Sequence, residues 1–125
     1  MNLEVLNKKY SLYHIDENRE IPRELYVSGF FSATRTDSGL TIICDSEIDF
    51  SCRASIDNLK LIRVKESLDF EVAGQINRVS ETLAKDDISI MIISTYENFY
   101  VAVRSDVLNK AIETFKRNKF TIFYQ

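Results

Sequence analysis

Two short polar stretches hold the side chains best suited to gripping a small polar molecule. They are Lys65–Phe70 and Thr95–Phe99. The first lies between a strand-like run and a helix-like one, so free backbone amides at the helix start would favour a carboxylate. Asp69, Thr95 and Asn98 offer oxygens to an ammonium group. Together these features match a zwitterion, an α-amino acid. The same residues also make a plain helix cap and a polar turn, and spacing alone favours that simpler account.

Catalysis finds little support. His14 is the single histidine; it lies on an alternating run among tyrosines, with no Ser or Cys placed to form a nucleophile–base pair. Gly29, Gly39 and Gly74 are too scattered for a phosphate loop. Glu66, Asp69 and Glu71 cluster at a helix start, where solvation and capping explain them better than paired acid–base work. Cys44 and Cys52 are the only cysteines, without a CxxC. A zinc site needs about four ligands, so we expect no metal, no cofactor, and two reduced cysteines used as small apolar residues.

The 125 residues suffice for a packed core without staples. A net charge of −3 and a pI of about 5.2 weigh against nucleic acid or an anionic membrane as partner. No apolar run approaches the ~20 residues of a membrane span. Met1-Asn2-Leu3-Glu4 is unlike a signal peptide, so a cytoplasmic location is expected.

The elements that must position the two turns follow from periodicity. Val72, Ile76, Val79 and Leu83 recur four, three and four apart, which puts them on one helical face; Gln75 and Arg78 fall off it. Leu59–Val64, Ile88–Ser94 and Phe99–Val103 read as strands. A second amphipathic helix (Leu108, Ala111, Ile112, Phe115), capped by Ser105, and a strand at Phe120–Tyr124 complete a βαββαβ order. In Ile88–Ser94, Ile88, Ile90 and Ile92 face one side while Met91 and Ile93 face the other. Two helices cover only one side of a sheet, so the other needs the first half of the chain or a second copy.

The first half repeats this order in reduced form. Tyr10–Ile15 is a strand, Pro22 opens a short helix through Leu25, and Phe30–Arg35 with Leu40–Cys44 forms a hairpin around Gly39. Phe50–Ala54 is a candidate edge strand, and Ser55–Asn58 the internal junction. Met1–Lys9 reads as an arm. The expected fold is α+β: two ferredoxin-like halves at residues 1–57 and 58–125, the first degenerate, with antiparallel sheets and helices on one face. The order is shared with RNA-recognition domains, but Phe99-Tyr100-Val101 lacks their flanking Gly and basic residues.

The segments Leu68-Asp69-Phe70 with Gly74, and Ile88-Ser89-Ile90 through Ile93-Ser94-Thr95-Tyr96, resemble an ACT domain. So do Ser32–Asp37 and Leu40–Cys44 upstream. More narrowly, the order and spacing are similar to small bacterial tandem-ACT proteins related to aspartate kinase regulatory domains and the cytosolic arginine sensor. The resemblance spans about Tyr10 to Phe120. It implies a non-catalytic regulatory module that binds an amino acid at Ser67, Leu68, Asp69, Phe70, Gly74, Thr95, Tyr96, Asn98 and Phe99. It also implies a homodimer. Nothing resembles a kinase catalytic domain, so an aspartate kinase label would describe the regulatory part only. The alternative is a ligand-free interaction module that regulates a protein partner by docking.

Overall fold

The computed structural model describes residues 1–16, 19–49, 51–52, 54–65 and 72–125. They form two compact units, one of residues 8–59 and one of 1–7 with 60–125. The mixed α+β composition agrees with the expected class.

In the unit of residues 8–59, β2 (Tyr10–Ile15) leads to a 3-10 turn at Arg23–Val27, opened by Pro22. β3 (Phe31–Thr36) and β4 (Gly39–Asp45) follow as a hairpin. β5 (Ala54–Val64) contributes its first six residues. The order β3-β4-β2-β5 is that of a ferredoxin-like sheet. Its first helix is a single 3-10 turn, and among the described residues no second helix lies between β4 and β5. Gly39 has φ +127, and a Cβ there would lie 2.4 Å from the Ile15 carbonyl oxygen, so the hairpin demands glycine. Tyr13, Ile15, Leu25, Leu40, Ile42 and Cys44 form one buried cluster of the unit. Burial pushes the Cys44 thiol up to about 11, which keeps it neutral and inert.

The other unit uses residues 60–64 of β5, then α1 (Val72–Ala84), β6 (Met91–Ser94), β7 (Phe99–Arg104), α2 (Leu108–Arg117) and β8 (Thr121–Tyr124). β6 pairs β7, and β7 pairs β5. A strand from the far end of the chain, β1 (Asn2–Val5), completes the sheet. It pairs antiparallel with β5, Leu3 opposite Val64, and parallel with β8, Leu3 opposite Ile122. The first seven residues, read from sequence as an arm, therefore supply a strand between the first and last strands of this βαββαβ unit. One strand pair is parallel, where only antiparallel pairing was expected.

The described part of the apolar stripes lies where periodicity put it; the Val72 side chain lies outside the described residues. Val79 and Leu83 of α1, with Ala111, Ile112 and Phe115 of α2, form one buried cluster with Leu3, Val5, Ile62, Val64, Val101 and Val103. Ile76 packs at its margin. Both helices end in the same way. Ile88 N–H donates to Leu83 O and Asp87 N–H to Ala84 O, with Asp87 at φ 58. Phe120 N–H donates to Phe115 O and Lys119 N–H to Lys116 O, with Lys119 at φ 69. These are Schellman closures, each followed by an apolar residue folded back onto the helix. The Phe115 and Phe120 rings meet at 4.9 Å.

Three local expectations differ. Ile88–Ile90 is no strand, because Ile88 completes the α1 closure and β6 begins only at Met91. Ser105 does not cap α2; it begins a 3-10 turn, Ser105–Val107, that runs into the helix, and neither start has a side-chain cap. Ser55–Asn58 is no junction but part of β5, with Asn58 at φ 59 where the register against β2 shifts. The expected boundary at 57/58 thus falls inside a strand shared by the two units.

Candidate functional site

The turn between β6 and β7 is fully described. Thr95 closes it twice: its backbone N–H donates to Asn98 O at 2.8 Å, and its Oγ1 hydroxyl donates to the same oxygen at 2.7 Å. Asn98 N–H returns a bond to Thr95 Oγ1 at 3.2 Å. The Asn98 side-chain oxygen stands 3.3 Å from that hydroxyl. Thr95 and Asn98 are therefore brought together, but their first duty is to hold each other. The three-residue spacing of a Thr and an Asn was the signal for such a turn.

The remaining site residues separate by environment. Tyr96, at the apex, is 96% exposed. Phe99 is 1% exposed and its ring packs in the core cluster. Gly74 lies on the exposed side of α1, and a Cβ there would meet nothing within 4 Å. Close packing does not demand a glycine at this position; it leaves open space beside the first described turn of the helix. Ser67, Leu68, Asp69 and Phe70 lie outside the described residues.

Ion pairs in this unit are structural. Asp86, in the closure after α1, accepts from Thr114 Oγ1 at 2.6 Å and from the Arg117 guanidinium at 2.5 Å, tying that closure to α2. These two donors hold the Asp86 carboxyl below its ordinary value. Arg63 pairs with Glu4 across β5 and β1. The Arg78 guanidinium stacks on the Phe120 ring at 5.1 Å. Among the described residues no group of three or more His, Cys, Asp or Glu side chains could hold a metal ion. Among them, too, no helix is long and apolar enough to cross a membrane.

The model of the ACT domain matches residues 54–117, from the start of β5 to the end of α2. The chain belongs to the ACT-domain family. No curated protein matches it. Among solved structures, this ACT-domain protein is similar to Atu0741 from Agobacterium tumefaciens, with a TM-score of 0.88 and 25% identity over 99% of this chain and 92% of that one. The regulatory subunit of aspartate kinase from Thermus thermophilus, in its ligand-free form, has a TM-score of 0.60 at 9% identity, over 94% of both chains. The aspartate kinase of Clostridium acetobutylicum has a TM-score of 0.64 at 17% identity, over 89% of this chain but 33% of the kinase. At those identities the two kinase comparisons establish a shared fold.

Proposed function

We propose that the protein is a non-catalytic regulatory module that binds an α-amino acid and works as a homodimer. The observation that carries this is the ACT-domain match over residues 54–117, within which lies a closed turn presenting Thr95 and Asn98. The ligand's carboxylate would meet amides at the start of α1, where the helix dipole favours negative charge. Its ammonium would meet oxygens of Asp69, Thr95 and Asn98, with Ser67, Leu68, Phe70 and the open space beside Gly74 completing the site. The kin of this fold named as a kinase regulatory subunit supports a regulatory role.

The test is a thermal-shift screen against the common amino acids, repeated by calorimetry. A ligand at 100 times its dissociation constant adds about 2.7 kcal/mol to stability. Thr95→Val and Asp69→Ala should each reduce the shift while the protein remains folded. If no amino acid at millimolar concentration moves the melting curve, the ligand reading fails. Light scattering should give twice the 14.5 kDa chain mass; a monomer at all concentrations refutes the dimer.

One observation favours the alternative, regulation of a protein partner by docking without a ligand. The Tyr96 ring stands 96% exposed at the tip of its turn, where it would serve as an anchor for another protein. Loss of partner capture on Tyr96→Ala, with no amino-acid response in the parent protein, would support it.

A further inference from the structure

The unit of residues 8–59 holds a second feature, on the face of its sheet opposite Tyr13, Ile15 and Ile42. In the register of β2 and β5, Leu12 stands opposite Ile56 and His14 opposite Ala54. Directly opposed residues share a face. Tyr13 and Ile15, which alternate with them, point into the core instead. These residues, with Ser55 between Ala54 and Ile56 on β5, line an open pocket of about 110 Å³. Ile56, 51% exposed, forms part of its mouth. A Cβ on Gly39 would come within 3.2 Å of His14 Cε1, so a side chain at position 39 would crowd that ring.

The chemistry of the wall selects the occupant. Leu12, Ala54 and Ile56 are apolar, and no Asp, Glu, Lys or Arg is among the described residues that line the pocket. A zwitterion or an ion would lose hydration there and gain no partner. An apolar cavity of about 150 Å³ accepts benzene, so this smaller one suits a body of about four carbons. The single imidazole can exchange one hydrogen bond with a hydroxyl or carbonyl. We propose that this pocket is a binding site for a small uncharged molecule with a branched aliphatic body and one hydrogen-bonding group. It is separate from the amino-acid site and does not rest on that reading.

The test is a methyl-detected NMR titration of the full chain with three probes of one shape: isobutanol, isobutylammonium and isobutyrate. Saturable shifts confined to Leu12, Ala54 and Ile56, seen with isobutanol alone, are expected. Ala54→Leu fills the pocket from an exposed position and should abolish them while the rest of the spectrum is kept. Ile56→Ala removes a wall and should weaken them. The absence of saturable shifts overturns the proposal. So do equal responses to the charged probes, or shifts that persist in Ala54→Leu. Concentration-dependent shifts of the same methyls without any probe also overturn it, since they assign the pocket to a second copy of the chain.

Discussion

Replacing Leu3 by alanine tests the least expected part of the fold. Leu3 is fully buried, stands between Val64 of β5 and Ile122 of β8, and belongs to the cluster that both helices cover. A Leu→Ala change in such a place removes transfer energy and leaves a cavity, at a cost of about 2–5 kcal/mol. The enclosure on both strand edges points to the upper half, about 3–5 kcal/mol. A chain of this length has a total stability of roughly 6–19 kcal/mol, so the variant should fold. Its melting point should fall by roughly 10–20 °C. Urea unfolding followed by far-ultraviolet circular dichroism gives the free energy directly, through a lower midpoint at unchanged slope. Thr121→Ala, an exposed change on the neighbouring strand, serves as control and should stay within about 0.5 kcal/mol. If Leu3→Ala costs less than about 1 kcal/mol, residues 1–7 are an appendage and their place between β5 and β8 is wrong.

Other outcomes follow from single features. Lys119→Gly should stabilise by about 0.5–1 kcal/mol, because relief of a left-handed backbone worth roughly 1–2 kcal/mol exceeds the entropy that glycine adds to the unfolded chain; urea midpoints measure it. Arg78→Ala should destabilise by about 0.5–1 kcal/mol through loss of its stack on Phe120, where helix phase alone predicts no change. The pH dependence has a definite sign. Burial alone would raise the Asp45 carboxyl, but the Glu47 amide and the Lys8 ammonium outweigh it, so both Asp45 and Asp86 sit below their ordinary values. Their contribution is complete above the unfolded value of about 3.9 and is lost as pH falls through the lower folded values. Urea midpoints measured down that range should fall less steeply in the Asp45→Asn, Asp86→Asn double variant than in the parent.

Much of the architecture was legible because apolar period decides it. The stripes Val79–Leu83 and Ala111–Ile112–Phe115 sit in the core as their spacing required, and Gly39 sits in the hairpin turn that needs it. The helix ends were harder to read, because Asp87 and Lys119 occupy the left-handed positions that glycine usually marks. Asp57-Asn58 looked like a junction for a similar reason: turn-forming residues occur here inside a strand, at a register shift. The position of β1 was not legible at all, since alternation shows that a strand has a buried side but not which strands flank it. For the site, residue type identified the Thr95–Asn98 turn, while the burial of Phe99 depends on core packing that local spacing does not reveal. The expected contacts of Ser67–Phe70 lie outside the described residues.

The pairing of β1 with β8 also bears on synthesis. Asn2 stands beside Thr121, and Val5 beside Tyr124. β1 leaves a ribosome well before β8 and must therefore wait for it before the sheet that contains both can close. Contacts so distant along the chain are slow to form. Until then β1 presents Leu3 and Val5 with one edge open, in the kind of state on which chaperones act. Residues 8–59 carry a core of their own and need not wait. A chain stalled before β8 would thus expose one half finished and the other lacking its closing strand, so loss of β8 alone should mark the product for degradation.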